Sequence, residues 1–266
     1  MAELQICLFG SFSVSRDFIP VPPLTWRTPH AASLLKLVLV RRPERLTVAE
    51  AAAVLGHGAT AEAVRTALRH LEAVLGEFAA LSGDAEERIH FKPGPRCWFD
   101  LDSLQAHYRS GLQAAARGDM LPAILAFQEA DALYQGDLLE ETQEPWVQEP
   151  RRRFQAIYTE ILDHLAEGHA VLGRYADAVG FCHKALSHEP LREVTFQRMM
   201  VYYYYLGDKA GMRDAYRTCR EALEGAGRRI SSETVALWER LTQKGLPPSG
   251  SSQAAATSED SSPASA

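Results

Sequence analysis

The chain has no long apolar run and few cysteines. None of its apolar stretches approaches the roughly 20 residues that a membrane-spanning helix needs. The segment MAELQICLFG lacks the basic start and the small-residue cleavage site of a secretory signal. The four cysteines lie far apart without a C-x-x-C pair, which argues against a disulfide framework or a zinc ribbon. We therefore expect a cytoplasmic protein with no membrane partner.

The motifs of common catalytic sites are also missing. The sequence contains no G-x-x-x-x-G-K-[ST], G-x-S-x-G or H-E-x-x-H, so it lacks the patterns for phosphate cradling, acyl transfer and zinc hydrolysis. Cys182, His183 and His188 come nearest to a metal-ligand cluster, but the two histidines do not share a helix face. We expect no enzyme activity, no metal and no cofactor.

A repeat of 34 residues is the strongest pattern that the sequence does contain. A shift by 34 aligns apolar, small and aromatic positions: Leu162 with Phe196, Leu165 with Met199, Gly173 with Gly207, Ala178 with Met212, and Cys182 with Tyr216. This period is typical of tetratricopeptide repeats, each of which is a helix–turn–helix. A glycine at the first turn favours a left-handed helix end. Such a solenoid forms a binding surface and carries no chemistry of its own.

A fainter first copy precedes these two. It aligns Gly118 with Gly173, and about 21 additional residues, from about Tyr134 to Phe154, separate it from the second copy. Three repeats are about the minimum for a continuous core. The sequence therefore predicts an all-α repeat domain over residues 101–245.

The first hundred residues have the order of a winged helix-turn-helix. Alternating apolar residues between Leu4 and Val21 predict short antiparallel strands. Three helices follow, over about residues 27–42, from a T-x-x-E capping box at Thr47 to about Leu55, and from the cap Thr60 to Leu75. Apolar residues between Ile89 and Leu101 flank Lys92-Pro93-Gly94-Pro95, which predicts two strands around a turn, the wing.

In a winged helix, the third helix enters the major groove and the wing contacts the DNA backbone. Val64, Leu68, Leu71 and Leu75 form one apolar stripe that should face the core. The candidate DNA-contacting residues lie off this stripe or on the wing: Thr60, Glu62, Arg65, Thr66, Arg69, Lys92 and Arg96. The alternative is a solvated helix face with charge pairs between Glu62 and Arg65 and among Arg65, Arg69 and Glu72.

Charge distribution favours the DNA interpretation for this third of the chain. The whole chain has a net charge of −6, but residues 24–71 contain seven Lys or Arg against three Asp or Glu. Residues 88–98 contain three basic residues and no acidic residue. Positive charge concentrated in one region can present a phosphate-binding face.

The order of these parts resembles the SARP-type bacterial transcriptional regulators, whose repeat half is called the bacterial transcriptional activator domain. The segments that carry the resemblance span about residues 3–243 and read LQICLFGSFSV, RRPERLTVAEAAAVLG, AVRTALRHLEAVLG, YQGDLLEE, EPWVQEPRRRFQAIYTEILDHLAE, YYYYLGDKAGMRDAYRTCREALE and SSETVALWERL. The resemblance implies a DNA-binding transcriptional activator that recognises direct repeats and helps to recruit RNA polymerase. The third helix is less basic than is usual in the family, with Glu72 and Ala73 where basic residues are common.

Together these observations predict a mainly α protein with small β-sheets in its winged helix-turn-helix. We expect a DNA-binding domain at 1–100, a repeat domain at 101–245 and a disordered tail at 246–266, which is almost without large apolar residues. The expected partners are double-stranded DNA and, through the repeats, RNA polymerase or another protein, with a homodimer left open. The alternative function is a repeat scaffold for protein–protein interaction whose winged helix no longer binds DNA strongly.

Overall fold

The computed structural model describes residues 3–22, 28–56, 58–84 and 87–243. Over these ranges it contains six short strands and ten helices, so the mainly α fold class is confirmed. The chain divides into two compact units, the first ending at Gly168 and the second beginning at His169. The predicted boundary at residue 100 stays a prediction. The predicted tail at 246–266 lies outside the described residues.

The amino-terminal sheet joins residues from both ends of the first hundred. Strands β1 (Leu4–Cys7), β2 (Ser13–Arg16) and β3 (Ile19–Pro20) form the predicted antiparallel meander, with Ile6 opposite Val14. Strand β6 (Cys97–Phe99) pairs parallel with β1 on its other side, giving the order β3-β2-β1-β6. The alternating apolar residues of β1 face the core and are fully buried.

Three helices follow, and the second and third begin with the caps that the sequence predicts. Helix α1 (Pro29–Arg41) ends shortly before Pro43. Helix α2 (Val48–Leu55) opens with a capping box in which the Thr47 hydroxyl accepts from the Glu50 N–H at 3.1 Å and the Glu50 carboxylate accepts from the Thr47 N–H at 2.8 Å. Helix α3 (Ala61–Leu75) begins at Thr60, whose hydroxyl accepts from the Ala63 N–H at 3.1 Å. Each cap satisfies a backbone donor that the first helical turn leaves unpaired.

The wing differs from its sequence prediction. Strand β5 (Ile89–Pro93) pairs antiparallel with β4 (Ala79–Gly83), a strand that the sequence pattern does not predict. The wing hairpin is therefore β4–β5, and Asp84, Glu87 and Arg88 are the described residues of its tip. Lys92 and Pro93 are the last residues of β5, residues 94–96 lead from the hairpin into β6, and Leu101 belongs to the following helix.

The close approach of Gly94 to the backbone explains this path. The Gly94 N–H donates to the Phe78 carbonyl at 2.7 Å, and a Cβ on Gly94 would lie 2.5 Å from that oxygen. Pro93 and Pro95 on either side have no N–H to continue a strand ladder. The segment Lys92–Pro95 therefore contains the end of β5 and the start of the connection to β6, and it does not form the tip of the hairpin.

Seven helices make up the rest of the described chain: α4 (Asp100–Ala116), α5 (Met120–Leu133), α6 (Pro145–Val171), α7 (Tyr175–His188), α8 (Glu193–Leu206), α9 (Lys209–Gly225) and α10 (Ser232–Gln243). Gly118, Gly173 and Gly207 lie at the turns after α4, α6 and α8 with φ of +80°, +73° and +74°. This confirms the predicted left-handed helix ends, which glycine adopts at little cost. Of the aligned positions, Ala178, Cys182 and Met212 are buried as repeat cores, and Tyr216 is half-buried.

The predicted insert between the first two repeats is half loop and half helix. Residues 134–144 form the loop, and α6 begins at Pro145. Arg151 donates from Nε to the Leu138 carbonyl at 2.9 Å and from Nη2 to the carbonyls of Leu139 and Thr142. Its guanidinium therefore satisfies three backbone acceptors of the loop.

The insert packs on the amino-terminal sheet within the first unit. The Phe9 ring lies 5.0 Å from that of Tyr134 and 5.4 Å from that of Phe154. The Leu139 N–H donates to the Leu8 carbonyl at 2.7 Å, and the Gly10 N–H donates to the Asp137 carbonyl at 2.9 Å. Backbone hydrogen bonds and aromatic contacts thus cross the predicted boundary at residue 100.

Asp100, the first residue of α4, is the buried polar group at this junction. Its Oδ2 accepts from the N–H groups of Leu8 and Phe9 at 2.6 and 2.9 Å, and its Oδ1 accepts from the Leu101 N–H at 2.7 Å. Burial disfavours the charged carboxylate and raises the pKa of Asp100 to about 6, although the backbone hydrogen bonds lower it.

Candidate nucleic-acid interface

Helix α3 presents one face to the core and the other to solvent. Val64, Leu68, Leu71 and Leu75 are buried, as the apolar stripe predicts. The other face carries the exposed candidates Glu62, Arg65 and Arg69, with Thr66 half-buried between them. Helical spacing brings these four side chains together along about two turns.

The Arg65 guanidinium is held by two carboxylates. Its Nε and Nη2 donate to Glu87 Oε1 at 2.9 and 2.7 Å, and its Nη1 donates to Glu62 Oε2 at 3.4 Å. The hydrogen bonds with Glu87 are the largest cause of a raised pKa for Arg65, followed by the charge of that carboxylate. Because Glu87 lies in the wing tip, this ion pair joins the wing to α3.

Arg69 has weaker ties on the same face. Its Nη2 donates to Thr66 Oγ1 at 3.1 Å and lies 3.6 Å from Glu62 Oε1. The predicted pairing of Glu62 with Arg65 is therefore present, and Glu62, instead of Glu72, is the carboxylate that both arginines share.

A cleft separates α3 from the wing tip, and its lining is more acidic than basic. We call it the α3–wing cleft. Its charged lining residues are Glu62, Glu72, Asp84 and Glu87 against Arg65 and Arg69. With every group ionised, four negative charges against two positive ones leave −2, a sign that opposes DNA phosphate.

The two wing candidates lie away from this cleft, at the base of the hairpin. Lys92 is exposed near the end of β5 and lines a second cleft with Arg42, Arg45 and His90. Arg96 Nη2 lies 2.9 Å from Glu77 Oε1, and its guanidinium lies 5.3 Å from the centre of the Phe78 ring. The structure therefore groups the α3 candidates and separates them from Lys92 and Arg96, while the Thr60 hydroxyl serves as the helix cap.

Two residues of this region were missed from the sequence. Glu87 contacts Arg65 across 22 positions of the chain, and no local pattern predicts a pair at that distance. Arg45 is exposed and shares the second cleft with Lys92. It belongs to the basic segment RRPER just before the Thr47 capping box, so the clustering of charge could have identified it.

Comparison with known proteins identifies the family. The family model of the bacterial transcriptional activator domain matches residues 99–242, which is more than half of the chain. The chain belongs to this family. It is therefore a transcriptional regulator of the SARP type, as the sequence resemblance predicts.

The fold of this family member also matches a solved structure over its winged helix and its repeats. The Mycobacterium tuberculosis EmbR structure, in complex with a low affinity phosphopeptide, superposes with a TM-score of 0.78 at 20% identity, over 94% of this chain and 67% of that one. At this identity the match shows the fold alone. The search of curated proteins gave no match. None of the helices described for this family member is long and apolar enough to cross a membrane.

Proposed function

We propose that the protein binds double-stranded DNA through α3 and the wing hairpin and that it activates transcription through its repeat domain. The observation that carries this proposal is the exposed Glu62–Arg69 face of α3, which lies beside a hairpin in the same unit. The rest of the chain matches a transcriptional activator domain. A helix of this kind fits the major groove of B-DNA.

The proposed interface contains two types of contact, to base edges and to phosphates. Arg65 and Arg69, released from their carboxylates, reach base edges, and an arginine that binds guanine O6 and N7 in a bidentate manner discriminates by about 1–3 kcal/mol. Lys92 and Arg96, together with the newly identified Arg45, contact phosphates, which fix the register of the protein without reading sequence. The repeat helices contact RNA polymerase or another protein of the transcription machinery.

The double variant Arg65→Ala/Arg69→Ala tests the interface. Binding sites are first selected from a random duplex pool with the wild-type chain, and affinities for the selected site are then measured by fluorescence anisotropy. We expect the double variant to lose at least about tenfold in affinity for that site, because each lost base contact is worth about 1–3 kcal/mol. Its fold should persist, since the two arginines are exposed and exposed ion pairs contribute about 0–1 kcal/mol each.

Arg217→Ala/Arg220→Ala is the matched control. These arginines are also exposed and ion-paired, but they lie on α9 in the second unit. The double variant removes the same charge without touching α3, so we expect it to bind the selected site as the wild type does. Equal affinity and sequence preference for the wild type and the α3 variant would refute the proposed interface.

A repeat scaffold for protein–protein interaction, without strong DNA binding, is the second candidate function. The observation that favours it is the net negative charge that lines the α3–wing cleft. Selection from the random pool separates the two candidates, because a scaffold enriches no sequence. In that case, a pull-down with the full chain should retain RNA polymerase or another protein. Loss of that protein when the repeats are removed would identify the scaffold function.

A further inference from the structure

We propose that Glu87 and Glu62 set the DNA affinity of α3 by competing with DNA for Arg65 and Arg69. This inference rests on the DNA-binding function proposed above and assigns to two acidic residues a role opposite to that of a DNA contact. It makes them determinants of affinity that are built into the interface.

The geometry at Arg65 gives the first reason. All three of its guanidinium nitrogens already donate, two of them to Glu87 and the third to Glu62. A bidentate contact with guanine or phosphate needs two parallel N–H groups of the same guanidinium. Glu87 occupies the Nε–Nη2 edge of the guanidinium, so DNA can bind that edge only by displacing Glu87, and the remaining N–H groups of Nη1 and Nη2 lie beside Glu62 and Glu87.

The backbone around Glu87 gives the second reason. The Val48 N–H donates to the Glu87 carbonyl at 2.9 Å, and the Glu87 N–H donates to the Asp84 carbonyl at 3.0 Å. These bonds fix the wing tip against the first residue of α2. The backbone of Glu87 is thus fixed by the fold at a position from which its carboxylate reaches Arg65.

Glu87 could either compete with DNA for Arg65 or orient Arg65 towards DNA, and the charge of the surrounding side chains favours competition. The side chains of Glu62 and Glu87 are 71% and 52% exposed, so an approaching phosphate meets both carboxylates. At about 4 Å in water, each like charge opposes binding by roughly a factor of five. Four carboxylates against two guanidinium groups leave the lining net negative. We therefore expect the two carboxylates to oppose DNA binding rather than to assist it.

The test replaces each glutamate by its neutral isostere in the full-length chain. Glu87→Gln, Glu62→Gln and the double variant are compared with the wild type on a labelled random-sequence duplex of about 30 base pairs, by anisotropy between about 50 and 200 mM salt. We expect affinity to rise about fivefold for each single variant. The slope of log affinity against log salt should steepen by about 0.9 for each arginine that gains a phosphate. Circular dichroism verifies that each variant is folded.

Glu224→Gln is the matched control. Glu224 is also exposed and lies 3.7 Å from Arg220 on α9, so the substitution changes the net charge equally without altering α3. If Glu224→Gln and Glu87→Gln raised the DNA affinity equally, the net charge of the chain would explain the increase, and the inference would be overturned. Unchanged or weaker binding by Glu87→Gln and Glu62→Gln, with a wild type that binds, would assign the glutamates an orienting role and also overturn it.

The double variant separates this inference from the function on which it rests. If Glu87→Gln/Glu62→Gln binds DNA and the wild type does not, the two glutamates prevent DNA binding by the wild type, and the competition is confirmed. If neither binds at any salt concentration, the DNA-binding function fails and the inference fails with it. A wild type that binds DNA while the double variant gains nothing leaves the proposed function intact and removes only the competition.

Discussion

Asp100→Asn should change how the stability of the protein depends on pH. In the folded chain the Asp100 side chain is buried, and its pKa is about 6 instead of the ordinary 3.8. The folded state therefore retains a proton at pH values where the unfolded chain has released it. The stability gained from this proton is fully present below pH 3.8 and is lost as the pH rises through about 6.

The size of the effect follows from the two pKa values. A gap between 3.8 and about 6 corresponds to roughly 3 kcal/mol between the fully protonated and fully ionised limits. Over the accessible interval from pH 5 to pH 7, the wild-type chain should lose about 1.3 kcal/mol through this group. Asparagine cannot ionise. It also places an amide donor near the backbone N–H groups that the carboxylate satisfies, at a pH-independent cost of about 1–3 kcal/mol.

Urea unfolding of the two proteins at pH 5 and pH 7 measures the difference. The stability of the wild type minus that of Asp100→Asn should fall by about 1.3 kcal/mol between the two pH values. Asp119→Asn serves as the control, since the Asp119 side chain is half-exposed at the start of α5 and pairs with Arg117. A wild-type minus Asp100→Asn difference that stays constant with pH would show that the pKa of Asp100 is not raised, and would refute the reasoning from burial.

Two further predictions concern the base of the wing and the repeat core. Lys92→Ala and Arg45→Ala should weaken binding to all DNA sequences about equally and lower the salt slope by about 0.9 each. Arg96→Ala should lower it by less, because Glu77 and Phe78 already hold that guanidinium; an equal decrease for Arg96→Ala would contradict this difference. Gly111→Ala should destabilise the chain, because its Cβ would lie 2.6 Å from the buried Phe127 ring and such overpacking costs about 1–3 kcal/mol. Gly180→Ala, with nothing within 4 Å of its Cβ, should instead stabilise α7 by up to about 1 kcal/mol, and thermal melts that show the same sign for both glycines would contradict the packing argument.

Local chemistry explains which elements the sequence could predict. The capping box at Thr47 and the cap at Thr60 define helix starts within a few residues of themselves, and the structure has both. The 34-residue period predicted the glycine turns for the same reason, because a left-handed helix end depends on one residue and its neighbours.

Non-local pairing explains what the sequence could not predict. Strand β4 reads AALSG, which has neither the alternation nor the β-branched residues of a typical strand, and only its pairing with β5 makes it one. Strand β6 pairs with β1 across more than 90 positions. With β4 missed and β6 assigned to the wing, Lys92–Pro95 was interpreted as the tip of the hairpin.

The candidate site shows the same limit. Periodicity correctly separated the buried stripe of α3 from the exposed face. It could not predict that Glu87 folds back onto Arg65, since that contact depends on where the wing tip ends. Partners that are distant in sequence therefore decide how much free charge the α3 face presents.

The contact of Phe9 with Tyr134 and Phe154 has a consequence for how such proteins can be recombined. A chimera joined at residue 100 would pair the amino-terminal sheet of one parent with the insert of another. Phe9 would then come from one parent and its two aromatic partners from the other, so their packing would not be matched. A junction after Gly168 keeps the sheet, the insert and Asp100 from one parent. In this molecule the unit of exchange is thus longer than the DNA-binding motif that it contains.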